Sequence, residues 1–203
     1  MRVVLLILSS LLLITAGYGQ STNWTYPGNS YSDGSGTGGL DSWEGDYTYL
    51  TEGGSVYECF DYSSGSAGTW YTPILKTYSY GFSLPTGAEI TGIECQIKKT
   101  GFGAATWYDY EVKLYVGGVQ VGDNKAITST PYSGEVTDTY GGPSDLWGLT
   151  PTKTQIEASN FGVGIKCKAV AVEYDYNVVI DFIRLKIYYS VPSGSSPFFG
   201  VPF

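Results

Sequence analysis

Between Ile90 and Lys99 apolar and polar side chains alternate without a break: Ile93, Cys95 and Ile97 stand against Glu94, Gln96 and Lys98. Only an extended strand sends every second side chain to one face, so this stretch predicts a β-strand with one buried and one solvated side. Tyr108, Tyr110, Val112, Leu114 and Val116 repeat the pattern as the expected inner face of the next strand, with Asp109, Glu111 and Lys113 outside. Gly117-Gly118 then separates Val116 from Val119, and two residues free to take positive φ predict a tight hairpin.

The same period runs through Trp70–Phe82, as one long strand or two with Pro73 at an end or edge, and through Phe161–Ala171 and Tyr174–Tyr189. In the last strand Val178, Ile180 and Phe182 share one phase, and Ile183, Leu185 and Ile187 share the other. That switch predicts a β-bulge near Asp181-Phe182 or a strand buried on both faces. Nineteen Tyr and five Trp beside 28 Gly suit pleated surfaces and tight turns rather than helix packing. Seven to nine strands in 203 residues predict one all-β domain, a single antiparallel β-sandwich of jelly-roll type. Thr150-Pro151-Thr152, followed three residues on by Gln155, predicts one short helix.

Residues 1–19 read as a secretory signal: Arg2, an apolar run from Val3 to Ile14, then small Gly17 and Gly19 before Gln20. The run is broken by Ser9-Ser10 and is shorter than a bilayer span, which favours cleavage over anchoring. The mature chain divides into a Gly/Ser-rich arm or loop (20–45), the sandwich (46–190) and an apolar Pro/Gly/Ser tail (191–203). The expected location is extracellular or at the cell surface. A tail ending in Phe198, Phe199 and Phe203 suggests self-association through a neighbour's groove, against the alternative of a frayed end.

Export permits disulfides, and Cys95 and Cys167 both fall in inward phase. A Cys95–Cys167 bridge and two small buried thiols fit that phase equally well. Cys59 has no clear phase.

The order of several motifs resembles a known module. Phe82-Ser83-Leu84-Pro85-Thr86-Gly87-Ala88-Glu89-Ile90-Thr91-Gly92-Ile93-Glu94 opens it, and Val121-Gly122-Asp123-Asn124-Lys125-Ala126 follows the hairpin. Tyr140-Gly141-Gly142-Pro143-Ser144-Asp145-Leu146-Trp147-Gly148-Leu149 forms its loop, and Ile180–Tyr189 its last strand. Over roughly residues 70–190 this is similar to the jelly-roll β-sandwich module of tailed-phage structural proteins and exported bacterial surface proteins. The resemblance implies a structural or binding module without catalytic residues. A signal-like N-terminus favours a secreted or surface structural and adhesion role; a tail- or fibre-associated virion protein is the alternative.

The chain has no histidine, which removes the commonest general base and metal ligand, and no Gly-x-Ser-x-Gly elbow is present. A net charge of −8 disfavours nucleic acid as a partner. No cofactor is expected; Asp41, Glu44 and Asp46 around Trp43 give weak support to a structural calcium, with a solvated acidic loop as the simpler reading. Asp109, Glu111, Glu173 and Asp175 are the carboxylates a polysaccharide hydrolase would draw on, and they read as solvated strand positions. The functional lead is aromatic. Trp24, Trp43, Tyr47, Trp70 and Trp107 are candidate glycan-stacking residues, with Tyr26, Tyr31, Tyr49, Tyr71 and Tyr108 in the same group. The alternative is that such rings anchor loops and cover sheets. The expected partners are a glycan or a cell-surface or virion component. Trp147 and Asp181 are assigned structural roles: a loop plug, and a carboxylate needing a cationic or backbone partner.

Overall fold

In the computed structural model, residues 19–37, 40, 42–45, 48, 50–51, 57–60 and 67–192 are described. The expected signal segment up to Tyr18, the tail from Ser193, Asp41, Asp46, Tyr47 and Tyr49 lie outside them.

Nine strands and one helix follow in chain order among the described residues. They are β1 (Gly19–Ser21), β2 (Asn29–Asp33), β3 (Tyr57–Phe60), β4 (Gly68–Tyr71), β5 (Ile74–Tyr78), β6 (Glu89–Val116), β7 (Val119–Val121), β8 (Val136–Gly142), α1 (Lys153–Glu157) and β9 (Gly162–Ser190). All pairings between these strands are antiparallel. The fold is an antiparallel β-sandwich of jelly-roll type with one short helix.

Its frame is a pair of very long strands. β6 and β9 stay paired from Glu89↔Ser190 to Tyr115↔Gly162 and each contributes to both layers. Where the sequence suggests two separate strands on each side, the chain stays extended and turns the corner instead. One layer adds β8 beside the first half of β6, and β1 and β3 beside the second half of β9. The other layer adds β7 to the end of β6, and β4, β5 and β2 outward from the start of β9. β4 and β5 are separated at Thr72-Pro73, where proline removes a ladder donor. β2 lies in the Gly/Ser-rich arm and has no apolar alternation; pairing with β5, not propensity, makes it a strand.

Ile93, Cys95 and Ile97 from one layer and Val112, Leu114, Val163 and Ile165 from the other are fully buried together in one core. Four register shifts interrupt the β6–β9 pairing, one at Ile90/Gly92 and three further along that set which side chains reach the core. On β9 the register passes from Phe182 to Ile180 while β6 passes from Lys98 to Lys99, so Asp181 is the bulged residue at the predicted phase switch. Its carboxylate lies 2.8 Å from Lys98 Nζ. On β6 the pairing skips Tyr110 between Asp109↔Cys167 and Glu111↔Lys166. This corrects the sequence-based face: Asp109 turns into the core, and Tyr110 is 43% exposed. At the corner where β6 and β9 turn, another shift separates Gly103 from Ala105.

Loop 143–152 closes one end. Trp147 is completely buried with φ +58, its Nε1 donates to Ile93 O at 2.9 Å, and its backbone N donates to Asp145 Oδ1. Thr152 caps α1, with its side chain accepting from Gln155 N and Gln155 accepting from Thr152 N. Gly117 and Gly118 both take positive φ in the β6–β7 hairpin. Cys95 and Cys167 are buried as thiols, so no Cys95–Cys167 bridge forms, and Cys59 is buried as well. Burial raises the Cys167 thiol to about 12.

Candidate functional site

The five aromatic candidates scatter. Trp43 is buried and its Nε1 donates to Pro73 O at 2.9 Å. Trp107 is also buried, its ring 5.9 Å from that of Tyr176. Neither ring can meet a ligand from solvent; both are core residues, which corrects the expectation. Trp70 is half-buried against the core. Trp24 is half-buried on the outer face of the β8-bearing layer, beneath Lys186 Nζ at 4.3 Å and the Arg184 guanidinium at 4.9 Å. On that face Arg184 also holds Gln96 Oε1 through Nε and Nη2, and Tyr188 donates to Glu94, a hydrogen bond that together with burial raises the phenol to about 12. Glu44, the described member of the expected calcium loop, is exposed and forms an isolated backbone bridge with Glu58.

A different set of aromatics does converge. Directly opposed residues of antiparallel strands point to the same face, so register alone defines the outer face of the β5–β9–β6 layer. At one end it carries Asn29, Tyr78, Gly162, Tyr115 and Gln120 in a row across five strands. The next row is Tyr31, Lys76, Gly164 and Lys113. Lys166 opposes Glu111 in the third, Tyr71, Lys168 and Tyr108 align in the fourth, and Thr69, Val170 and Thr106 complete the fifth. Successive rows are about 7 Å apart and strands about 5 Å, giving a plane several sugar units long.

The tyrosines on this face pair. Tyr71 and Tyr110 have ring centroids 4.5 Å apart at 57°, and Tyr31 and Tyr78 are 5.8 Å apart at 74°. The bulge at Tyr110 creates the first pair by turning that ring outward. Lysines lie over the rings: Lys168 Nζ is 4.5 Å from the Tyr108 centroid and Lys166 Nζ 5.9 Å from that of Tyr71. Gly164 leaves the floor low. A Cβ there would stand 2.8 Å from both Ile74 Cγ2 and Tyr115 Cε2, so those side chains close over it. Burial and then the Asp33 charge raise the Tyr115 phenol, keeping it a neutral donor and a flat ring. Beside this floor Tyr31, Lys76, Tyr78 and Asn160 line a cleft of about 240 Å³. Two clefts of about 350 and 380 Å³ flank Thr150-Pro151, and their linings contain no aromatic ring.

Tyr31, Tyr71 and Tyr108 were legible as aromatic candidates; Tyr78, Tyr110 and the lysines were not. The missed signal is the outward phase of Gly162, Gly164, Lys166 and Lys168 between the inward Val163, Ile165 and Cys167.

A second polar cluster is internal. Asp109 Oδ1 takes Lys99 Nζ at 2.5 Å and Tyr132 OH at 2.7 Å, and Oδ2 takes Tyr140 OH at 2.8 Å and Ile127 N at 3.1 Å. Lys99 also donates to Tyr140 OH and lies 3.0 Å from Asp138 Oδ2. With both members of the ion pair out of solvent and every carboxylate oxygen satisfied, this cluster is a core device, and Asp109 is not the solvated acid of a hydrolase. The Glu173 and Asp175 side chains lie outside the described ones, and no group of three metal-ligating residues occurs among the described residues.

No protein-family model matches the chain, and no curated protein does. Among solved structures it is similar to the N-terminal cellulose-binding domain of Cellulomonas fimi β-1,4-glucanase C, at 13% identity and TM-score 0.36 over 79% of this chain and 95% of that one. A CBM4 structure matches at 13% identity and TM-score 0.27 over 80% and 92%. The family 11 carbohydrate-binding module of Clostridium thermocellum, in complex with a β-1,3-1,4-mixed-linked tetrasaccharide, matches at 17% identity and TM-score 0.34 over 84% and 96%. At these values the likeness transfers no residue role.

Proposed function

We propose that this chain is a non-catalytic glycan-binding module of an exported or surface-attached protein, and that the tyrosine face of the β5–β9–β6 layer is its platform. The observation that carries the reading is the outward pairing of Tyr71 with Tyr110, in line with Tyr108 and beside Tyr31 and Tyr78. The C–H face of a pyranose lies against such rings, while phenol and ammonium groups between them bond its hydroxyls. A sheet surface is rigid, so little ordering entropy opposes binding.

Affinity electrophoresis of the full chain through gels containing soluble polysaccharides tests this. At least one polysaccharide should retard the protein, Tyr71→Ala and Tyr110→Ala should each relieve the retardation, and Trp24→Ala should not. A panel in which nothing retards the parent removes the reading. Retardation that survives both tyrosine variants moves the platform elsewhere.

A further inference from the structure

The tyrosine face carries a charge opposite to that of the chain. The protein has eleven basic residues against nineteen acidic ones, yet Lys76, Lys113, Lys166 and Lys168 all project from this one face. Among the described residues Lys98, Lys99, Lys125 and Lys153 each hold a carboxylate within 4.0 Å, and these four lysines hold none. Lys166 and Lys168 lie over tyrosine rings instead.

Lys76 is the sharpest case because it is only 6% exposed. Its ammonium donates to Tyr31 OH at 2.9 Å and Gly118 O at 3.1 Å, and sits 4.2 Å from the Tyr115 ring centroid. Two of its three donors are spent on neutral oxygens, and the rings beside it, Tyr115 and Tyr31 with its centroid at 5.1 Å, carry no formal charge. A buried cation without a counter-ion is costly, and Lys76 lines the cleft it shares with Tyr31, Tyr78 and Asn160.

We infer that the glycan taken by this face is anionic, a polysaccharide bearing carboxylate or sulfate groups, with the Lys76 cleft seating one anionic group and Lys113, Lys166 and Lys168 meeting others along the chain. The inference rests on the glycan-binding reading above. Asp33 and Glu111 share the face, two acids against four lysines, and Asp33 is engaged by the Tyr115 hydroxyl. The overall charge of −8 opposes a polyanion at long range, but fields of separated surface charges fade over about 10 Å in ordinary salt. At contact the four lysines decide. Neutral sugars would also accept lysine hydrogen bonds, but they would leave the buried Lys76 charge uncompensated.

The test compares polygalacturonate, a sulfated galactan and neutral mixed-linked β-glucan as ligands of the full chain by titration calorimetry. The expected result is at least about tenfold preference for one of the two polyanions over the neutral glucan, the size of one charge-assisted hydrogen bond. Which polyanion wins distinguishes carboxylate from sulfate. Lys166→Gln/Lys168→Gln lies on the surface and should fold normally while losing most of that preference; Lys76→Met should lose it too. Added salt should weaken polyanion binding and leave neutral glucan untouched. Equal or tighter binding of the neutral glucan overturns the inference and leaves the glycan-binding reading standing, whereas no binding to any of the three, with nothing retarded in the electrophoresis panel, removes both.

Discussion

Lys99 and Asp109 lie ten positions apart on the same strand and still meet inside the core, Nζ to Oδ1 at 2.5 Å. The contact exists because β6 passes from one layer to the other between them. An ion pair therefore ties the two layers at the corner where the long β6–β9 ribbon turns.

Removing one partner of that pair strands the other. Lys99→Met leaves the Asp109 carboxylate buried without its counter-ion, and the expected loss is about 3–5 kcal/mol of unfolding free energy. Lys99→Met/Asp109→Leu should lose clearly less than the two single losses added together, because the second change removes the stranded charge. Urea denaturation of the three variants measures this, and strictly additive losses would show that the pair is not coupled.

The same cluster makes the fold sensitive to alkali. Burial first, and then the nearby Asp109 charge, hold the Tyr140 phenol well above its ordinary 10.0, and Tyr132 is raised in the same direction by burial, Cys167 and Asp109. The unfolded chain releases these protons near 10 and the folded chain keeps them. Their contribution to stability is thus complete below pH 10 and declines as pH rises through the folded values. Cys167, raised from 9.0 to about 12, adds the same dependence across that window. Urea midpoints should fall steeply above pH 10, and Tyr132→Phe/Tyr140→Phe should flatten the fall. An equal slope in the variant would assign the alkaline loss to other groups.

Much of the frame is legible in local pattern because burial alternates where strands are regular. Ile93, Cys95 and Ile97, the Gly117-Gly118 hairpin, the Thr152–Gln155 cap and the Asp181 switch all follow from neighbours in sequence. Tyr110 does not. A bulge inserts one unpaired residue, and no local signal marks which one, so a single slip exchanged the faces of Asp109 and Tyr110. Lys99 was in inward phase with Ile97 all along, but a lysine there makes sense only once Asp109 is known to face it. The platform is hidden for a similar reason: it joins β2, β4, β5, β6 and β9, and only long-range register brings Tyr31, Tyr71 and Tyr108 to one plane.

The loop containing Trp147 depends on Gly141 for space as well as conformation. Gly141 has φ +72, and a Cβ there would stand 2.2 Å from Ile93 O and 2.5 Å from Trp147 Nε1. Gly117 has φ +63 with nothing within 4 Å. Gly117→Ala should therefore cost only about 1 kcal/mol of left-handed strain, whereas Gly141→Ala must also break the Trp147–Ile93 contact and should cost at least about 3 kcal/mol. Thermal unfolding of both variants compares them; similar losses would mean the tryptophan plug is easily moved.

Gly164→Val separates platform from fold. The atoms that a Cβ at position 164 would meet, Ile74 Cγ2 and Tyr115 Cε2 at 2.8 Å, belong to side chains and not to backbone, so room is made only by turning both side chains. The strand itself favours valine, which offsets part of the about 1–3 kcal/mol that crowding a packed site costs. Tyr115 cannot give way without leaving its place under Lys76, which it holds at 4.2 Å, and the floor between Lys76 and Lys113 would rise by a branched side chain. Glycan affinity should fall about tenfold or more while the chain still unfolds in one cooperative step at a modestly lower midpoint. Affinity that persists through this substitution would place the bound glycan away from the Gly164 floor, nearer the Tyr71–Tyr110 pair.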